Sequence, residues 1–556
     1  MLPGSELLRE GRAAAAGIAP QATAFCRLHG VAHEVEFKQR AIASGRISYH
    51  AHIGLADWNA TEAALGDVVA GLAEHGHTVE RYGLCLSRAM GLPEGAREGF
   101  PKETGPLLAD GDWQRIGEAT SVQPHLGDSM IGTPNGFATA LASLAAGATT
   151  IGNLGQYLAF EWPGSDDVAL TEQTVRALGA MAELRPRGAL MHSYLDDGAA
   201  MQLPHYGAYL GWAALELHVV ETLCGARLAH SFGGLVHEPL HRAIVALALD
   251  DLRGRDSIGS MVYGNTVDMV RANHERNRAV VATSALVDIA TQLRRPTGHA
   301  IHVTPLTEAE RIPSAAEIVE VHLLARELER EARRSGDLFD WAHVERLAAA
   351  CAEYGTRYRD RALELLAGDG LDPADPAALL LALRRLGPAE LDRRVNLAPP
   401  HDVAQLEPWK AGMMSGLVGR IERSLPPLDG RRVVLAVLEV HDVVRDALAR
   451  ALPRAGCEVI LLPADSTPQT VARAAADEDA HAIVVGAYNG SALTIARQLE
   501  AALANERWTG TVVFGGLLNE DEGGDLPVDA RERIEQLGIR TVGAIEELGA
   551  LLGTLA

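Results

Sequence analysis

From about residue 46 the chain alternates short apolar runs with longer stretches of helical period, which is the pattern of a parallel α/β fold. The apolar runs predict strands at 47–53, 81–86, 121–126, 149–152, 189–194, 227–232, 257–263 and 299–303. Eight strands separated by helices are what a (β/α)8 TIM barrel requires, so 46–330 is expected to be such a barrel. Residues 1–45 are expected to form an irregular or helical N-terminal arm. Residues 331–395 are helical in period and strongly charged, which predicts a solvated helical extension packed on the barrel. Proline pairs follow at Pro399–Pro400 and Pro426–Pro427 and resist helix continuation, so 331–429 is read as extension plus linker.

The pattern changes again at 430–556. Residues 432–439, RVVLAVLE, form a continuous apolar run of the kind found in fully buried parallel strands. Helical stretches at 442–455, 468–477, 491–505 and about 530–537 then alternate with the runs GCEVILLP, HAIVVGAY, TVVFGG and IRTVG. Five β–α units predict a doubly wound, flavodoxin-like (Rossmann-type) sheet, which binds ligands outside its strand C-termini. The loop after the first strand, VHDVVRD, puts His441 at that crevice. Imidazole is a good ligand for a transition metal, and Glu439 or Asp442 is near enough to hold its second nitrogen. By itself, a histidine at a strand–helix turn is more commonly an ordinary structural residue.

Composition narrows the class. Apolar residues make up 47% of the 556 positions, enough for more than one core, and the formal net charge is -23. That charge excludes binding to nucleic acid backbones. No apolar run approaches the roughly 18–20 residues of a membrane span. The first twenty residues hold Glu6 and Glu10 without a long apolar run, so no secretion signal is expected. Five scattered cysteines without a CxxC pair fit a reducing cytoplasm and argue against a disulfide framework or structural zinc site.

The chemistry-bearing residues gather at the predicted strand C-termini, where barrel active sites form. His50 and His52 share one face of the first strand because side chains alternate. Arg88 follows the second strand, and His125 and Asp128 close the third. His192, Tyr194, Asp196 and Asp197 follow the fifth, His230 and His237 flank the sixth, and Tyr263 and Asn265 end the seventh. Each alone is as readily a packing residue; their grouping is what carries information. Histidines in such number could also bind a metal ion, although no HxxxH or HExxH spacing is present.

The segment VHDVVRDALARALPRAGCEVILL resembles the cobalamin-binding domain of methionine synthase, corrinoid proteins and the adenosylcobalamin mutases, whose pattern is DxHxxG, then SxL, then GG. Glu439 stands for the aspartate, His441 is retained, and Val444 replaces the glycine. Val485, Gly486 and Ala487 occupy the SxL segment, and Gly515 and Gly516 supply the GG. The resemblance implies a cobalamin cofactor with His441 as lower ligand to cobalt. Glu439 and Asp442 would then lie behind the imidazole, and Tyr488, Asn489, Gly490, Gly515 and Gly516 beside the cofactor.

Four segments between 81 and 329 are similar to the large barrel subunit of glutamate mutase (methylaspartate mutase). LCLSRAMG puts Arg88 on a carboxylate-gripping arginine of that family, and IGTPNGFATALASLAAGATTIGNLGQYLAF, with Thr133, matches its HGTPD segment. In LPHYGAYLGWAALELHVVETLCGARLAHSFGG the family's catalytic glutamate falls at or beside Glu216. In TGHAIHVTPLTEAERIPSAAEI, Glu308 fits a glutamate that contacts the adenosyl ribose. The resemblance implies an adenosylcobalamin-dependent carbon-skeleton mutase, dimeric like its relatives and therefore a homodimer here. Arg88 would anchor a substrate carboxylate and Glu216 would move a proton. Other family positions differ: Met130 or Ile131 stands for one arginine, His192 lies where a second is expected, and Val303 replaces a lysine. With Arg88 as the remaining arginine, the expected substrate is a carboxylate other than glutamate, read by His50, His52, His125 or His192. Two alternatives stay open. VHDVVRD is closer to the VHDIGKN form of corrinoid methyltransferases, and the worn motifs also fit a non-catalytic cobalamin-binding protein.

Overall fold

A computed structural model of the chain describes residues 1–97, 105–128, 130–160, 162, 165–197, 200–253, 258–439, 442–464, 466–488, 490–522 and 527–554. The chain divides into two compact units. One comprises Met1–Arg97, Gly105–Ala159 and Asp166–Ala411; the other includes Gly412–Ala556.

The first unit is built on eight short parallel strands: β1 (Tyr49–Ile53), β2 (Arg81–Leu84), β3 (Gln123–His125), β4 (Thr150–Ile151), β5 (Leu190–Tyr194), β6 (Leu228–Phe232), β7 (Met261–Val262) and β8 (Ala300–His302). Their order is β3-β2-β1-β8-β7-β6-β5-β4. An isolated parallel bridge between Leu126 and Ile151 joins the two end strands. There Leu126 N–H donates to Thr150 O at 3.3 Å and Gly152 N–H donates to Leu126 O at 2.9 Å. The result is the near-barrel that eight apolar runs predict, with each strand shorter than its run.

Register makes large and absent side chains alternate around the lumen. His52 of β1 stands beside Gly83 of β2, which stands beside His125 of β3. A Cβ on Gly83 would lie 2.7 Å from His50 Nε2 and 2.9 Å from His52 Nε2. One on Gly152, just after β4, would lie 2.6 Å from His192 Cδ2. Strands β1, β3 and β5 therefore bring imidazoles into the interior, and Gly83 and Gly152 beside them yield the space by carrying no side chain.

The N-terminal arm is helical, with helices at Gly4–Ala15, Ala24–His29 and Glu34–Ala43. The third of these reaches the strand N-termini. Glu34 and Lys38 lie one turn apart and are each 2% exposed. Arg81, the first residue of β2, donates from Nη1 to Glu34 Oε1 at 3.1 Å, from Nη2 to Ser260 O at 2.9 Å and from Nε to His50 Nδ1 at 2.9 Å. Lys38 Nζ donates to Gly259 O and Ser260 O, both at 2.8 Å, and Thr150 Oγ1 donates to the second Glu34 oxygen at 2.7 Å. Burial disfavours charge on both cations, and Glu34 is the carboxylate that holds them. Helix and strand entry are thus joined by a buried polar clamp.

Helices Ala315–Ser335, Trp341–Gly368 and Pro376–Val395 form the extension. Its charged faces are solvated, but Trp341–Gly368 buries Tyr354 and Tyr358 against the helix Tyr206–Leu217. A Cβ on Gly211 would meet the Tyr358 ring at 2.5 Å, so the two helices need that glycine to approach.

The second unit has five parallel strands, β9 (Arg432–Val437), β10 (Glu458–Ala464), β11 (Ala482–Ala487), β12 (Thr511–Gly516) and β15 (Arg540–Val542), in the order β10-β9-β11-β12-β15. A small antiparallel pair, β13 (Asn519–Glu520) and β14 (Val528–Asp529), precedes β15. This is the doubly wound, flavodoxin-like sheet expected from the sequence, with its topological switch between β9 and β11. The helix Trp409–Ser424 contributes Leu417, Val418 and Ile421 to one face of its core. The unit therefore takes in residues ahead of the Pro426–Pro427 pair, which ends a helix where the sequence pattern suggested a domain boundary near 429.

The clamp predicts the cost of breaking it. Glu34→Gln leaves Arg81 and Lys38 buried without their carboxylate and should lower stability by about 3–5 kcal/mol, measured by denaturant unfolding.

Candidate functional site

The near-barrel interior brings together the four histidines singled out in the sequence. Ring centroids lie 4.7 Å apart for His50 and His52, 5.6 Å for His50 and His125, and 4.6 Å for His125 and His192. His302, the last residue of β8, joins them at 5.0 Å from His52, and Tyr263 packs 4.2 Å from His302. Burial drives all five imidazoles toward the neutral form, and His52 falls to about 3. His50 Nε2, His52 Nε2, both nitrogens of His125 and His302 Nδ1 have no hydrogen-bond partner. Among the described residues no group of three or more His, Cys, Asp or Glu is arranged to hold a metal ion. The interior is a set of buried imidazoles that desolvation drives toward the neutral form.

Carboxylates surround the strand C-termini above it. Asp128 accepts from Gln156 Nε2 at 2.9 Å and Asp197 accepts from Asn153 Nδ2 at 2.5 Å. Burial pushes both carboxyls up, Asp197 further because the Asp128 charge lies beside it. Burial alone pushes Glu308 up to about 7. Cys85 Sγ lies 3.2 Å from His52 Nδ1. Asp196 ties loops together, accepting from Tyr209 Oη at 2.9 Å and from Gly233 N at 2.7 Å. His237 and Asn265 both meet Asp268, at 3.2 and 2.8 Å. Arg88 opens a short 3-10 turn after β2 and is 6% exposed; Thr133 is 1% exposed with its hydroxyl unpaired.

Glu216 lies apart from the histidines. Its helix, Tyr206–Leu217, is buried on every side, and the carboxylate accepts from Trp212 Nε1 at 3.0 Å and meets His230 Nε2 at 3.1 Å. His230 alternates with Ala229, which packs in the apolar cluster containing Leu190 and Val35, so the pair occupies the wall between strand and helix.

In the second unit, a cavity of about 370 Å³ opens at the C-terminal ends of β9, β11 and β12. Its lining is chiefly apolar and includes Leu435, Val437, Val444, Leu448, Val485 and Val542, with Tyr488 beside them. Gly486, Gly515 and Gly516 form part of the wall. Gly516 is required where it stands: φ is +114° and a Cβ would meet Ala487 O at 2.4 Å. Glu439 is 2% exposed, and its charge adds to burial in raising the Tyr488 hydroxyl to about 12. Asp442 faces Arg445 at 3.7 Å, and Gly490, with φ +77°, accepts from Asp521 N at 2.7 Å. His441 and Asn489 lie outside the described residues. A slot of this apolar character, with glycines where strands end, suits a flat macrocycle and an organic tail.

The sequence did not point to His302, which ends β8 in register with His50 of β1. Nor did it point to Arg81, whose partners lie far along the chain.

Fold and site together define a parallel α/β near-barrel and a Rossmann-like domain in one chain. Residues 432–526 match the family described as the B12 binding domain, and the match supports cobalamin binding. Among solved structures, one described as a novel cobalamin-binding protein from Desulfitobacterium hafniense DCB-2 is 14% identical, with a TM-score of 0.22, covering 36% of this chain and 97% of that one. Another carries the GCN5-related glucosamine N-acetyltransferase region of a fungal multi-domain GH3 beta-N-acetylglucosaminidase. It is 12% identical, with a TM-score of 0.24, over 77% of this chain and 56% of that one. No curated protein matches the chain. Among the described residues no helix is long and apolar enough to cross a membrane.

Two outcomes follow from this geometry. Glu308 has a folded-state pKa of about 7 against an ordinary 4.5, so its contribution to stability is full below 4.5 and is lost as pH rises through 7. Glu308→Gln should therefore gain on the parent chain progressively as pH rises from 4.5, reaching roughly 1–3 kcal/mol at and above pH 7, read from unfolding curves across pH. Gly516→Ala should cost roughly 1–3 kcal/mol through strain and contact with Ala487, measured by thermal or denaturant unfolding.

Proposed function

We propose that the chain is an adenosylcobalamin-dependent mutase that rearranges the carbon skeleton of a small carboxylate other than glutamate inside the near-barrel. The observation that carries this reading is the buried interior of imidazoles driven toward the neutral form, in the same chain as a B12-binding domain. Radical chemistry needs a substrate held away from water and from competing acid–base groups, and such an interior suits it. When bound, adenosylcobalamin would supply the radical chemistry of its cobalt–carbon bond. Arg88 anchors the substrate carboxylate, its planar guanidinium matching two oxygens. His50, His52, His125 and His192 orient the remainder of the substrate. His441, Glu439, Asp442, Tyr488, Asn489, Gly490, Gly515 and Gly516 hold the cofactor on the second unit. The glutamate mutase resemblance assigns Thr133 and Glu308 to the cofactor as well, and burial poises Glu308 to exchange a proton near neutral pH. Glu216 retains the assignment implied by the glutamate mutase resemblance, acting from the wall through His230. The working unit is assigned as a homodimer.

Reconstitution with adenosylcobalamin tests the reading. The expected product has the visible spectrum of base-off, histidine-ligated cobalamin, and His441→Ala abolishes that form. Binding of neither adenosyl- nor methylcobalamin overturns the assignment, and preference for methylcobalamin moves it to methyl transfer.

A further inference from the structure

Two carboxyls stand at the mouth of the near-barrel without a cation. Asp128 follows β3 and Asp197 follows β5, and between them the segment after β4 supplies Asn153 and Gln156. The orientation of Asn153 is fixed, because its Oδ1 accepts from Gly155 N at 2.9 Å and from Tyr194 N at 2.8 Å. Its Nδ2 therefore faces away from those amides and donates to Asp197 Oδ2 at 2.5 Å, while Gln156 Nε2 donates to Asp128 Oδ1 at 2.9 Å. Each side-chain amide also reaches the other carboxyl, and the Asp128 charge acts on Asp197, so the two acids share one small space. Both keep part of their surface exposed, which leaves that space open to the mouth. Among the described residues neither aspartate is ion-paired with Lys or Arg. The pair faces the lumen: burial first, and then the charges of Glu308, Cys85, Asp128 and Asp197, raise the Tyr263 hydroxyl just past β7, which lies opposite β3 in the ring of strands. From below, His125 is directed at the same loop. It is 0% exposed with both nitrogens unpaired, and its Nε2 lies 3.0 Å from the place a Cβ on Gly127 would take, one residue ahead of Asp128.

Two acids held side by side away from bulk water repel, and the pair is relieved either by keeping a proton or by taking a cation. A metal ion needs further ligands, and among the described residues no group of three or more His, Cys, Asp or Glu is arranged to supply them. An ammonium needs only acceptors, and its N–H groups make strong charge-assisted hydrogen bonds to carboxylate oxygens. We propose that Asp128 and Asp197 together bind the ammonium group of a primary amine, with Asn153 and Gln156 holding the two carboxyls in place by the hydrogen bonds they donate. The substrate that the near-barrel admits is then cationic at this end. The pair thus selects a charge opposite to that taken by an arginine set built for a dicarboxylate. This rests on the reading that the interior holds the substrate; it does not depend on cobalamin or on radical chemistry.

The experiment uses the full chain without cobalamin and 13C-labelled methylammonium as the probe, its binding read from line broadening at neutral pH and constant ionic strength. Methylammonium should bind the parent chain, and its affinity should fall roughly tenfold or more in Asp128→Asn and in Asp197→Asn. Each substitution keeps an oxygen that accepts from the neighbouring amide and removes the charge. Without amine, both variants should unfold at a higher temperature than the parent, because repulsion between buried acids is gone; loss of binding is then not loss of fold. Asp268→Asn, at a rim carboxylate that meets His237, should leave binding unchanged. Tetramethylammonium, with the same charge and no N–H group, should neither bind nor compete. Equal broadening of tetramethylammonium overturns the proposal, since it marks diffuse attraction to an acidic chain. Tighter binding of potassium or magnesium ions at the same pair overturns it in favour of a metal site. Methylammonium binding that survives both aspartate substitutions, or that is absent from the parent, overturns it as well. Because no cobalamin is present, a chain that fails to bind or use the cofactor still gives these measurements, so the two readings fail separately.

Discussion

A guanidinium cannot be buried unless nearly all of its N–H groups are met, and Arg81 meets them by drawing together three parts of the chain. Glu34 comes from the N-terminal helix, His50 from β1 and Ser260 from the entry to β7. Ordering groups so distant in sequence is entropically costly, so the contacts must be good ones to hold. The outcome closes the N-terminal end of the near-barrel with polar contacts where an apolar layer would otherwise sit. Breaking the clamp strands charge in the interior, whereas replacing the whole of it by apolar residues would remove the donor that meets His50 Nδ1.

The glycines above the clamp complete that effect. His50, His52 and His192 need room, and Gly83 and Gly152 provide it at the points where a methyl group would collide with them. A polar interior therefore results from a register in which large and absent side chains meet, not from histidines alone. In the second unit, glycine serves differently. Gly516 allows a backbone turn at the end of β12, and Gly486 and Gly515 keep the cavity wall open. Val444, which stands where cobalamin-binding loops carry glycine, adds an apolar side chain to the same lining. The slot is made by strand ends and flanking helices, so it persists although the loop and SxL motifs have drifted.

Much of this was legible because parallel strands write continuous apolar runs. All eight strands of the near-barrel fall inside the predicted runs, and RVVLAVLE and HAIVVGAY announced β9 and β11. His50, His52, His125 and His192 could be placed on strand ends and were found together. What was not legible depends on distance in sequence. Glu34 and Lys38 have an ordinary i,i+4 helical spacing, and nothing local says that their face meets Arg81 rather than water. Glu216 presents a related limit. A glutamate on an apolar helix reads either as catalytic or as solvated, and its pairing with Trp212 and His230 depends on how that helix lies against β6. His302 was recoverable in principle, since it lies within a predicted apolar run as the other histidines do.

The distribution of titratable groups separates binding from proton transfer. In the interior, burial and the positive charge of Arg81 keep imidazoles neutral, so they can donate hydrogen bonds but are poor proton carriers at ordinary pH. At the strand C-termini the same burial acts on carboxyls and has the opposite consequence, bringing Glu308 to the range where it exchanges protons readily. One physical effect, the removal of water, thus makes the lower level inert and the upper level responsive. Reactive carbon species formed against the lower level would meet neutral N–H groups and aromatic edges, whereas any step that needs a proton must draw on the carboxyls above.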